Sequence, residues 1–197
     1  MSNVSTDLHR TDQVAHRFYT KLALVVNHAR ATTELNPQAK VDKWFNLETP
    51  DPGIFKEHTR MYRSVSSALS TPTFLLQVLL PIPEPIPSQV LTYVGLDCAR
   101  IPVEPTPRYI LLESWSIDFI PYQAQHSQQS EHLNIDPPTI YRHGISLFRS
   151  IFTLLRVLPA WKLARSRDQL RDSNLTVAVK TINSELRPSN DVLDFGQ

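Results

Sequence analysis

Four glycines occur in 197 residues, and Gly53, Gly95, Gly144 and Gly196 stand far apart. Phosphate-cradling loops need several glycines close together, so that backbone N–H groups can approach the phosphate. Their scatter argues strongly against a P-loop or a dinucleotide-binding fingerprint. The one cysteine, Cys98, cannot form an intrachain disulfide, which points to a reducing, intracellular compartment. No apolar run approaches the ~20 residues that span a bilayer. The first residues, MSNVSTDLHRTDQ, lack the apolar core of a signal peptide. Charge is balanced, at a formal net +1, so no global field is directed at nucleic acid or membrane. H-E-x-x-H, Cys-x-x-Cys and G-x-S-x-G are all missing. His126 and His132 share a polar stretch with Glu131 and Asp136, but without ligand spacing they read as surface histidines. No cofactor is implied and an enzyme is disfavoured, although a triad dispersed along a chain leaves no local motif.

Proline, by contrast, is abundant at 16 residues. It alternates through "PIPEPIP" (81–87), which predicts an extended polyproline-type loop, and "IPVEPTP" (101–107) reads as a second stiff loop. Between such breaks the apolar pattern predicts elements. Val14, Phe18, Leu22, Val25 and Ala29 mark one face of a helix over about 7–31. Residues 41–47 alternate as a short strand with Trp44 and Phe45 on opposite faces. Residues 54–69 read as a weaker helix; 71–81, 90–96, 108–120 and 174–183 read as strands. The long segment 137–158 opens on two prolines, tolerated in a first helical turn. Its two apolar rows, Tyr141/Ile145/Phe148/Phe152/Leu155 and Ile140/Leu147/Ile151/Leu154/Leu158, wrap most of the circumference and predict the central buried helix.

Arg142, Arg149 and Arg156 recur every seven residues on that helix, in one slowly drifting stripe. Lys162, Arg165, Arg167 and Arg171 continue the basic run. The stripe suits either a solvated face or a surface for an acidic partner, phosphate or anionic lipid.

Four stretches combine in order: "FYTKLALVVNHAR" (18–30), "KVDKWFNLE" (40–48), "LLESWSIDF" (111–119) and "TIYRHGISLFRSIFTLLRVLPAWKLARS" (139–166). Together they closely resemble the N-terminal domain of the autophagy-related protein 13 family in a fungal version. The resemblance implies a HORMA fold over residues 1–186. This is an α/β fold of the α+β type, a small, mainly antiparallel sheet on three helices with a C-terminal safety belt. Residues 187–197 are then a polar tail or an incomplete belt, because one closing strand of the sheet is not found in the sequence. It implies a non-catalytic adaptor of the autophagy-initiating kinase complex, cytoplasmic and recruited to the phagophore assembly site. Implied partners are autophagy-related protein 101, as a second HORMA domain, the vesicle membrane protein and the phosphatidylinositol 3-kinase complex. Kinase and scaffold contacts belong to a disordered tail outside this sequence; no nucleic acid is implied. Related HORMA dimers pack along the corresponding long helix, which places Arg142, Arg149 and Arg156 at or near a partner surface. Lys162, Arg165 and Lys180 are anion-binding candidates. Lys180 aligns with one position of a proposed anion pocket whose other arginine, in some fungal relatives, is Ser114 here. Trp44, Phe45, Asn46, Glu113 and Trp115 mark the family as structural motif residues. A checkpoint- or meiosis-type HORMA adaptor that clasps a peptide, and a small hydrolase or transferase with a dispersed active site, remain as alternatives.

Overall fold

The computed structural model describes residues 2–32, 38–66, 71–83, 90–120, 136–166, 175–183 and 191–195. The first helix, α1 (Ser2–Arg30), is uninterrupted by glycine or proline. It touches the later helices and the sheet on several sides, so residues 21–27 are buried all round the helix. Its apolar side chains meet those of the central strand β3 (Phe74–Pro81), with Tyr19, Leu22 and Val26 in one core with Phe74, Leu76 and Val78.

β3 pairs antiparallel with β6 (Tyr109–Ile117) on one side and β7 (Ala178–Asn183) on the other. A short β8 (Val192–Leu193) runs parallel to β6 at the far edge, giving the order β7-β3-β6-β8. β8 falls within the stretch expected as tail or incomplete belt. Two small hairpins stand apart from this sheet, β1 (Lys40–Asp42) with β2 (Thr49–Asp51), and β4 (Thr92–Val94) with β5 (Arg100–Pro102). The predicted strands 71–81, 108–120 and 174–183 are thus present in the main sheet. Residues 101 and 102, expected in a stiff loop, pair in β5 instead. The histidine-bearing stretch and most of 81–87 lie outside the described residues.

Three expectations fail for identifiable reasons. The strand over 41–47 stops at Asp42, and Trp44–Asn46 form a 3-10 turn. The buried Lys21 ammonium of α1 curls it, binding the Asp42 carboxylate and donating to the Leu47 carbonyl (2.7 Å) and the Thr49 hydroxyl (3.0 Å). The Trp44 N–H also returns to Asp42, at 3.2 Å. The weak helix over 54–69 reduces to one turn, α2 (Lys56–Thr59), and a 3-10 segment over 60–64. Its serines favour helix poorly, and the Ser66 N–H and hydroxyl are both captured by Asp12 of α1 (2.8 Å each). Lastly, the long helix α3 (Pro137–Val157) exists but is not central. It lies on α1 through its first apolar row, with Phe148 and Leu155 fully buried, while Leu147 and Leu154 of its second row are exposed and Ile151 reaches the edge of the core. A proline break at Pro159 leads into α4 (Ala160–Arg165), which folds back on α1.

Candidate functional site

The motif residues organise the joints between layers. Phe45 is fully buried with φ 57°, in the left-handed region, as is Asn46 at 50°. This uncommon conformation for a large side chain aims the ring at α3. There it stacks on Tyr141 (centroids 5.2 Å apart, 23° between planes) and touches Phe148 (4.8 Å) and Phe18 (4.9 Å). Gly144 makes room for it, since a Cβ at 144 would lie 2.5 Å from the Phe45 ring. Trp44 stays half-buried under the Arg17 guanidinium, 4.7 Å from its ring centre.

Glu113 serves the opposite face of α1. Arg30, with no exposed surface, donates to both of its carboxylate oxygens, at 2.9 and 2.8 Å. The Trp115 indole N–H adds a third bond, at 3.2 Å. Such a bidentate, charge-assisted pair is directional as well as strong. Arg30 Nη1 is buried without a partner among the described residues. Lys21 and Arg30, which the pattern of an apolar helix conceals, therefore tie α1 to the 42–49 turn and to the sheet. The only available signal was a cation interrupting an otherwise apolar face. Burial pushes the Lys21 pKa down, an effect opposed by its bond to Asp42.

The outer side of α3 carries the most exposed apolar surface on a described helix. Leu147 is 46% exposed, Leu154 44% and Val157 74%. Arg142, Arg149 and Arg156 are exposed too. At 100° per residue, the arginine stripe and the second apolar row lie on opposite shoulders, about 170° apart. Arg142 bonds Thr139 (3.0 Å), and the Arg156 guanidinium covers the Phe152 ring at 4.2 Å.

The three anion candidates do not converge. Arg165 sits 5.9 Å over Trp161 and shares a pocket with Arg156, whereas Lys180 lines a different one beside Ile54 and His58. Lys162 is exposed on α4. Strand register puts Lys180 and Ser114 on either side of Gln77. The Lys180 ammonium is engaged by the Tyr109 hydroxyl (2.8 Å) and ring, and Ser114 supplies no charge opposite it. No group of three or more His, Cys, Asp or Glu suited to a metal ion occurs among the described residues. No helix among them is long and apolar enough to cross a membrane.

This arrangement, helices layered on a small, mainly antiparallel sheet, is that of a HORMA domain. A solved structure described as an Atg13 HORMA domain superposes with a TM-score of 0.59 at 17% identity, covering 94% of this chain and 72% of that one. The sequence profile of autophagy-related protein 13 matches residues 15–195, and the chain belongs to that family. The Penicillium rubens autophagy-related protein 13 is 27% identical over 187 residues, covering 84% of this chain and 19% of the relative. The Yarrowia lipolytica protein is 28% identical over 188 residues, covering 88% and 26%. The chain thus spans roughly a fifth to a quarter of the length of these relatives.

Proposed function

We propose that this chain is the interaction domain of a non-catalytic adaptor in the autophagy-initiating kinase complex, and that it pairs with a second HORMA domain through the apolar shoulder of α3. The observation that carries this reading is the half-exposed pair Leu147 and Leu154, with Val157 beside it, on a helix whose other apolar row packs on α1. Contiguous apolar side chains left in water mark interaction surfaces, and their fully desolvated centre supplies most of the affinity. Arg142 and Arg149 stand on the other shoulder, outside the contact itself, and act only by long-range steering of an acidic partner. The partner is autophagy-related protein 101, the site of action the phagophore assembly site, and the outcome recruitment of vesicle and lipid-kinase machinery. Membership of the autophagy-related protein 13 family supports the pathway.

Calorimetry with autophagy-related protein 101 from the same organism tests the assignment. Leu147→Asp with Leu154→Asp should weaken association by at least about a hundredfold, by placing charges in the desolvated centre. Arg149→Glu should cost about tenfold or less, mostly in association rate. Circular dichroism checks that each variant stays folded. Equal affinity after both leucine replacements would remove α3 from the interface, and turnover of a small substrate by the isolated chain would favour the enzyme alternative.

A further inference from the structure

A second site lies away from the apolar shoulder of α3 and does not depend on it. Where α4 folds back across the C-terminal end of α1, an open pocket of about 730 Å³ remains. Ala29 of α1 and Ala164 of α4 form its floor, with the Trp161 indole, Arg156, Arg165 and His28 around it. The two alanines are nearly buried, at 8% and 7% exposure, so the floor is reached only by a group that enters.

Basic residues in the last turn of a helix complement its dipole, and Arg156, Arg165 and His28 all hold such positions. That explains their sign. It does not explain why arginines from two different helices meet over one cavity with an aromatic wall. Each guanidinium lies over a ring, Arg156 on Phe152 and Arg165 on Trp161. Neither belongs to an ion pair among the described residues. A guanidinium held by its face presents its planar N–H edge to a tetrahedral oxyanion, for which bidentate contact is well suited.

We propose that this pocket binds a phosphorylated side chain on a peptide segment. The phosphomonoester is clamped by Arg156 and Arg165, and the carrier backbone lies against Trp161 and the alanine floor. The volume is that of a ligand site and larger than a lone phosphate fills. Its concavity also separates it from a bilayer-binding surface, which engages lipid with protruding cations and apolar side chains.

The test is calorimetry on the intact chain with an acetylated, amidated Ala-Ala-phosphoserine-Ala-Ala peptide and its phosphotyrosine counterpart. At least one should bind, and its unphosphorylated form about tenfold more weakly or not at all. Arg156→Gln with Arg165→Gln should lower that affinity by at least about tenfold, and Arg142→Gln with Arg149→Gln by less than about twofold. Lysine at 156 and 165 should recover only part, since it keeps charge without the fork. Thermal melts confirm that these exposed replacements leave the fold intact. Four outcomes overturn the proposal: no binding of either phosphopeptide at millimolar concentration; equal losses from the two arginine pairs; inorganic phosphate binding as tightly as the peptide; or arginine-dependent binding to phosphatidylinositol phosphate vesicles that the peptide does not compete.

Discussion

The two long helices invert the order their sequences suggest. α3 contains two full apolar rows and few charges, yet leaves Leu147, Leu154 and Val157 in water. α1 carries cations inside its apolar stretch, yet is buried on every side over residues 21–27, with Lys21, Asn27 and Arg30 inside. Apolar content states how much surface a helix can bury; what surrounds it decides how much it does. α1 is surrounded because its cations find fixed acceptors on the 42–49 turn and β6. α3 has no described neighbour on its outer shoulder. The contrast separates a helix that organises one domain from one with surface left over for another.

The sharpest way to break this contrast is to remove a buried charge's partner. Glu113→Ala leaves the Arg30 guanidinium uncompensated inside the protein and should cost ~3–5 kcal/mol. Arg149→Ala on α3 should stay within ~0.5 kcal/mol. Urea denaturation of both variants compares them directly, and equal small losses would show that α1 is not held by its cations. Next in size is a matched pair of truncations. Leu24→Ala in α1 should cost ~2–5 kcal/mol, against under ~1 kcal/mol for the half-exposed Leu154→Ala. If Leu154 proved the costlier, α3 and not α1 would be the central helix.

The joint between the two helices is probed by Gly144→Ala. The added methyl meets the Phe45 ring and should cost ~1–3 kcal/mol. Phe45→Leu in the same chain should recover part of the Gly144→Ala penalty, so a double-mutant cycle reads a coupling energy. Additive losses would show that the ring and the glycine do not meet.

The smallest effect is expected at Tyr19, whose hydroxyl is buried with no partner among the described residues. Tyr19→Phe should therefore lie within ~1 kcal/mol of the parent at neutral pH. Burial, with contributions from Tyr62 and Asp118, pushes the Tyr19 pKa up to about 12. The unfolded chain ionises first, near the ordinary value of ~10, and then holds fewer protons than the native state. Stability from this group is thus complete below pH ~10 and falls as pH rises towards 12. Thermal melts across that range should show a shallower alkaline decline for Tyr19→Phe than for the parent. An identical decline would mean that Tyr19 ionises freely when folded.

Much of the scaffold was legible because its signals are local. α1, β3, β6, α3 and β7 each carry their own periodicity and their own breaks at proline or polar residues. The 44–46 turn was not, since its geometry is imposed by an ammonium from residue 21 and a glycine at 144. Alternation in 41–47 is real, but a buried cation with acceptors at 42, 47 and 49 overrides strand preference. The basic residues show a related limit. Spacing along α3 groups Arg142, Arg149 and Arg156 and sets them opposite the second apolar row, but only the fold reveals that Leu147 and Leu154 of that row stay exposed. It also joins Arg156 to Arg165 and sends Lys180 to another side of the molecule.

The Phe45–Gly144 contact has a consequence for how such a chain can change over generations. A benzyl ring at 45 penalises anything larger than hydrogen at 144, and the space left by hydrogen at 144 suits a flat ring at 45. Substitutions at the two positions are therefore expected to be coupled rather than independent. A smaller side chain at 45 would ease the entry of a methyl at 144, and a methyl at 144 would make the ring at 45 costly to keep.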